Sequence, residues 1–177
     1  MTPPRSKMVS LRCLLFLVAS TFCYLGGTAA GDVQLMTRDS SKGNETCYRY
    51  VPVAFSAVKT NNQRLGYRQA VVFEKVLLNE GNGYHAHSGI FYAPQSGVYM
   101  FTSSMLHRSE GITIQFAIIH QGRVMAEFHA NAEWEQFSQT VIIRVRKGET
   151  VSVRNNRRNL PIIFGLSYST FSGYLLR

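Results

Sequence analysis

The chain has 177 residues, 45% of them hydrophobic, with 19 Lys and Arg against 10 Asp and Glu and a net charge of +9. Its first apolar run, residues 13–25, is shorter than the about 20 residues that a membrane span needs. Nowhere is there a sustained helical period, so a helical protein is excluded; removal of the apolar run is favoured over its retention as a membrane anchor, and one basic β-rich domain is what remains.

Residues 1–30 read as an export signal: Arg5, Lys7 and Arg12 precede the apolar run, and small residues fill positions 26–30. Cleavage near Ala30 leaves 147 residues, one ordinary domain, and a charge of +6, because three cations and no acids are removed. Cys13 and Cys23 leave with the signal. Cys47 is then alone, and either joins two chains through an interchain disulfide or carries a small thiol cap. Residues 31–50 are a short polar leader, in which Asn44-Glu45-Thr46 is a glycosylation sequon. The leader has no repeated Gly-X-Y triplets, which a collagen-like stalk requires.

From Val51 onward, strand signals follow one another. Ala54-Phe55-Ser56-Ala57-Val58 comes first. Phe73 then opens a spaced series of aromatics and glycines: Asn79, Tyr84, Phe91, and Gly97-Val98-Tyr99-Met100-Phe101. Tyr99, Phe101 and Ser103 alternate with Val98, Met100, Thr102 and Ser104, the period of a strand, with apolar residues on both faces. Asn79 to Gly83 is a dense turn signal, since Asn and Gly adopt positive φ cheaply, and a second break falls at residues 94–97. Ile112, Ile114, Phe116 and Ile118 share a face until Gln121-Gly122 ends the run. Trp134 lies in a polar loop, where it either stacks on a sugar or protein partner or plugs the barrel end. Val141, Ile143 and Val145 alternate with Ile142, Arg144 and Arg146 up to Lys147-Gly148-Glu149, and Val151 and Val153 follow, closed by Asn155-Asn156. Residues 161–168 and 171–176 supply the last two expected strands. Short strands at this spacing argue for a sandwich or barrel.

The series from Phe73 to Phe101 resembles the signature of the complement C1q globular-head domain family. Ala54–Val58 and Ser169-Thr170-Phe171-Ser172-Gly173-Tyr174-Leu175-Leu176 match its other landmarks, so the resemblance covers residues 51–177. One position departs: Ser103 stands where the family has an aromatic, which bears on local packing. The resemblance implies an all-β, ten-stranded jelly-roll sandwich of the C1q and tumour-necrosis-factor type that trimerises along a shared apolar face. Large exposed apolar surface on a soluble domain fits such an interface. Tyr99, Phe101, Phe164 and Phe171 are expected to be structural. The resemblance also implies extracellular, lectin-like recognition of microbial surfaces in innate immunity, with a cerebellin-like or adipokine-like ligand for one protein receptor as the alternative. It admits calcium, although no calcium motif can be matched here.

No catalytic arrangement stands out, and an enzyme is not expected. His85 and His87 lie two apart, on one strand face, a chelating spacing without a third ligand nearby in sequence; a surface pair without metal is the expectation. The basic residues are more suggestive. Arg144 and Arg146 end one strand, Arg154, Arg157 and Arg158 the next, and a short hairpin at residues 147–149 would join them into one anion-binding patch with Trp134 as a further contact. Arginine's planar fork suits carboxylate, sulfate and phosphate. The expected partners are a second and third copy of the chain, anionic glycans or microbial surface molecules, or a protein receptor. Nucleic acid and membrane insertion are not expected.

Overall fold

The computed structural model describes residues 51–108 and 111–177 throughout and, before them, the backbone of two strands. These, β1 (Gln34–Arg38) and β2 (Glu45–Arg49), pair antiparallel with Met36 opposite Cys47. They belong to a unit of their own, residues 1–50, and residues 51–177 form a second. The expected export signal and Asn44 lie outside the described residues.

The second unit contains β3 (Ala54–Val58), β4 (Gln63–Arg64), β5 (Lys75–Glu80), β6 (Tyr84–His85), β7 (Ile90–Tyr92), β8 (Gly97–Leu106), β9 (Ile114–His120), β10 (Arg123–Ala130), β11 (Gln136–Val145), β12 (Thr150–Asn155), β13 (Ile162–Ile163) and β14 (Thr170–Leu175). Ten of these build two five-stranded antiparallel sheets, in the orders β11-β8-β14-β3-β5 and β10-β9-β12-β7-β6, while β4 and β13 pair as a small ribbon. This is the expected ten-stranded jelly roll, with no helix among the described residues. Consecutive strands such as β8 and β9 fall in opposite sheets, so the chain closes around one interior.

The signature residues owe their spacing to that interior. Phe55, Phe73, Tyr84, Phe91, Tyr99, Phe101 and Phe171 are all buried in one cluster. Phe55 lies 4.9 Å from each of Tyr84, Phe91 and Phe171, separations at which aromatic pairs attract beyond their burial. Asn79 acts as a piece of backbone: its Nδ2 donates to the Tyr84 carbonyl and its Oδ1 accepts the Tyr84 N–H, each at 3.0 Å, which closes the β5–β6 turn. The Tyr84 hydroxyl donates to the Phe73 carbonyl and accepts the Phe73 N–H. Burial pushes that phenol up to about 12.

Ser103 is fully buried, and its hydroxyl donates to the Thr170 carbonyl at 3.0 Å. The departure from the family pattern is thus satisfied by a hydrogen bond, as a buried polar group requires. The other face of β8, expected to be buried as well, is only half-buried at Val98, Met100, Thr102 and Ser104. The long strand expected over residues 161–168 is also shorter than its pattern suggests. Only Ile162–Ile163 pair, and Leu166 and Ser167 adopt positive φ in a turn.

Candidate functional site: an arginine-rich end of the sandwich

The strands deliver their loops to two ends. At one end, β8 finishes at Leu106, β12 at Asn155 and β3 at Val58, while β11 and β14 begin at Gln136 and Thr170. Backbone hydrogen bonds tie the loops of this end together: Leu65 N–H to Pro161 O, Arg68 N–H to Asn155 O, Trp134 N–H to His107 O, and Leu166 N–H to Thr60 O. Arg64, Arg68, Arg108, Arg154, Arg157 and Arg158 all sit here. At the other end, where β8 begins and β11 finishes, are Arg144, Arg146 and Lys147.

That separation corrects one expectation. Residues 147–149 do not form a hairpin, because β11 pairs with β8 while β12 pairs with β7 and β9 in the opposite sheet. The two arginine groups therefore lie at opposite ends. Alternation along each strand was visible in the sequence, but strand partners are set by long-range packing. Arg144 and Arg146 instead line a shallow depression of about 380 Å³ with Ser96, Gly97, Val98, Val145 and Arg177.

The arginines that do come together gain two neighbours from a distant loop, Tyr67 and Arg68. The buried Asn155 amide donates to the carbonyls of Leu65, Gly66 and Asn159, and its Oδ1 accepts the Arg157 N–H at 3.0 Å. One side chain thereby staples residues 65–68 to residues 155–159. Arg68 lies with its guanidinium carbon 5.5 Å from the Tyr67 ring centre and Arg158 at 5.2 Å, both within cation–π range. The Arg154 guanidinium donates to the Arg68 carbonyl at 3.3 Å and to Ser152 Oγ at 2.9 Å.

Among the described residues the ion pairs are Lys59 with Glu74 and His120 with Glu149, and neither includes an arginine. Among the described residues, three acids near this end are otherwise engaged. Glu74 accepts the Thr60 and Asn61 N–H groups, and Glu127 accepts from Asn156 and Gln115. Glu135 accepts the Asn131 and Ala132 N–H groups, which hold its carboxyl below the usual range. Glu133 is exposed. Positive charge is thus gathered on ring faces and carbonyls instead of carboxylates, leaving guanidinium N–H groups for an anion in solution.

Trp134 belongs to the same end. It is exposed, with φ of 63°, and its ring packs edge-on against Phe164 at 5.3 Å while Arg108 lies 5.8 Å from its centre. It does not plug the interior. Phe164, expected to be structural, is half-buried and joins this surface cluster, whereas Tyr99, Phe101 and Phe171 are fully buried. Sequence reading missed Tyr67, Arg68, Arg108 and Asn155. The basic tract at residues 154–158 was the only local signal, and nothing in residues 64–68 announces that they lie beside it.

The histidines are dispersed. His85 and His87 lie with ring centres 5.9 Å apart, His107 is buried with Nδ1 facing the Ala132 carbonyl at 3.0 Å, and His120 contacts Glu149. Among the described residues no three His, Cys, Asp or Glu side chains gather as a metal site. Cys47 is placed only through its backbone.

Comparison with known proteins agrees with this architecture. A protein from Mytilus edulis named heavy metal-binding protein HIP is 30% identical over 129 residues, 70% of this chain, and the chain spans about 60% of that relative's length. Among solved structures, the globular domain of zebrafish complement 1qA superposes with a TM-score of 0.61 at 18% identity, covering 71% of this chain and 98% of that one. Murine APRIL gives 0.58 at 17% identity over 71% and 99% of the two chains, and Eiger TNF from S. frugiperda 0.61 at 11% over 72% and 94%. The last three likenesses show the fold. The family model of the C1q domain matches residues 54–176, and with the ten-stranded sandwich and its signature core in place, this chain belongs to the C1q-domain family.

Proposed function

We propose that this protein is a secreted, non-enzymatic C1q-domain protein that assembles as a homotrimer and recognises anionic ligands on extracellular and microbial surfaces, in the manner of a lectin-like innate immune receptor. The observation that carries the reading is the group Arg68, Arg154, Arg157 and Arg158: Arg68 and Arg158 lie over the Tyr67 ring, Arg154 bonds the Arg68 carbonyl, the Arg157 N–H bonds the Asn155 side chain, and none has a carboxylate partner among the described residues. Clustered like charges repel, and an anion relieves that repulsion while accepting their free N–H groups. Three copies in a trimer would turn weak contacts with a repetitive polyanion into binding tighter by about a hundredfold.

The mussel relative is named for binding heavy metals, but among the described residues no ligand set supports carrying that property over, and anion recognition through these arginines needs no metal. Export and glycosylation at Asn44 rest on sequence pattern alone, as does interchain pairing through Cys47.

Arg157→Ala combined with Arg158→Ala is expected to weaken binding to immobilised heparin or lipopolysaccharide about tenfold or more, the worth of two charge-assisted contacts, while the mass in solution stays that of the parent. Unchanged affinity would rule this surface out. A glycan and bacterial-ligand panel at two salt concentrations separates the reading from its rival. Broad, salt-weakened binding supports it, whereas a single saturable protein receptor supports a signalling ligand.

A further inference from the structure

The arginine-rich end also presents apolar groups that anion recognition does not need. Leu166 is 69% exposed, and Trp134 and Tyr168 are each 54% exposed. Phe164 packs against two of these, its ring centre 5.3 Å from that of Trp134 and 5.7 Å from that of Tyr168. Three residues of these turns, Trp134, Leu166 and Ser167, hold φ of 63°, 50° and 67°, a region that residues other than glycine seldom enter. Their N–H groups are fixed to the carbonyls of His107, Thr60 and Lys59 at 2.9, 3.0 and 2.8 Å. The backbone is therefore held in an uncommon conformation, and its large apolar side chains point into water rather than the core. Arg108 sits over the Phe164 ring at 5.3 Å. Leu160 and Tyr67, 58% and 46% exposed, add apolar tips beside Arg157, Arg158 and Arg68.

We propose that this end of the head docks on an anionic lipid bilayer, with Trp134, Leu166 and Tyr168 entering the headgroup layer and Arg108, Arg157 and Arg158 meeting lipid phosphates and carboxylates. Tyrosine and tryptophan favour that layer because one part of each ring system is apolar and another donates a hydrogen bond. The arginines, which have no carboxylate partner among the described residues, complement its negative potential. Apolar tips on several separate loops, interleaved with cations, suit an extended surface better than a single small ligand. Docking of this kind requires no spanning segment, and among the described residues no helix is long and apolar enough to cross a membrane. It departs from the expectation of no membrane insertion only in that loop side chains enter the interface. The proposal rests on the anion-binding reading for its arginines and on separate observations for its apolar contacts.

Trp134 is the only tryptophan of the chain, so its fluorescence reports on this surface directly. The full-length secreted protein is mixed with vesicles of phosphatidylcholine and phosphatidylserine in equal parts, or of phosphatidylcholine alone. A blue shift and quenching by brominated acyl chains are expected with the mixed vesicles only. Leu166→Asn, which keeps a residue tolerant of positive φ, is expected to weaken vesicle binding about tenfold and to leave heparin binding unchanged. No shift with the mixed vesicles, or vesicle binding unaffected by Leu166→Asn, would overturn the proposal. So would a Trp134 already closed to acrylamide in lipid-free trimers, which would assign the patch to a second copy. Vesicle binding without heparin binding would support docking and sink the glycan reading; heparin binding without vesicle binding would do the reverse.

Discussion

Lys59 shows how a single residue departs from what its type suggests. Its side chain is 2% exposed, and its amine donates to the Val72 carbonyl at 2.8 Å and reaches Glu74 Oε1 at 3.5 Å. Burial pulls the amine below its ordinary range despite Glu74. Burial alone would raise the Glu74 carboxyl, but its own backbone N–H, that of Thr60, Lys59 and the Asn61 N–H together hold it below the ordinary value of 4.5. Glu74→Gln leaves a buried cation without its counter-ion and is expected to cost about 2 kcal/mol in urea unfolding; Lys59→Met, which removes the charge itself, is expected to cost less. Equal losses would show that the pair does not act as one. Glu149 is likewise held low, by the Arg146 N–H first and by His120 second. A carboxyl with a depressed folded pKa stabilises above its unfolded value and loses that contribution as pH falls through the folded one. The contribution of these two carboxyls to the unfolding temperature is therefore expected to be complete above about pH 5 and to be lost on the acid side, and Glu149→Gln should make that acid-side drop shallower.

Elements followed their sequence patterns closely where one face meets the core. The alternation of Ile114, Phe116 and Ile118, and of Tyr99, Phe101 and Ser103, fixed which side chains turn inward, because the strand period is two. Gly173 is more specific. A Cβ there would lie 2.5 Å from the Phe101 ring and 2.8 Å from that of Phe55, so β14 can cross the aromatic cluster only with hydrogen at this position. Gly173→Ala is expected to destabilise the domain by about 2 kcal/mol through overpacking; a denaturation midpoint equal to the parent's would show that the cluster yields. Patterns misled where an apolar run serves two elements. Residues 161–168 look like one strand, yet Ile163 enters the core while Phe164 and Tyr168 turn outward with Trp134, a choice made by partners more than 25 residues away.

The assembly proposed above finds its support at the scale of the whole molecule, in the outer face of the β11-β8-β14-β3-β5 sheet. Strand register places Ile142, Met100, Tyr174 and Ala54 in one row across it, and Thr140, Thr102, Ser172, Ser56 and Leu78 in the next. The hydroxyls of the second row bond one another, Thr140 to Thr102 at 2.9 Å and Ser172 to Ser56 at 3.0 Å. Burying that row would leave little polar demand unmet. Ile142 is 61% exposed, and Leu77 and Leu78 add apolar surface on the open edge strand, the kind of edge that soluble proteins usually cover. Ile142→Glu would place a charge within the proposed contact, on its β11 side, and is expected to convert the trimer to a monomer by light scattering. A trimer that survives the change would move the interface elsewhere.

The sequence by itself determined the class of fold, the inward face of most strands and the family, because these depend on local period, turn residues and a signature whose spacing the aromatic core imposes. It also showed the basic tract at residues 154–158. Only the tertiary structure decided that Tyr67 and Arg68 complete that tract, that Arg144 and Arg146 lie at the opposite end, and that Trp134 faces water. The physical reason is that a jelly roll joins strands from opposite sheets and distant positions. Its ends are assembled from loops far apart in the chain, and no local pattern encodes which of them meet.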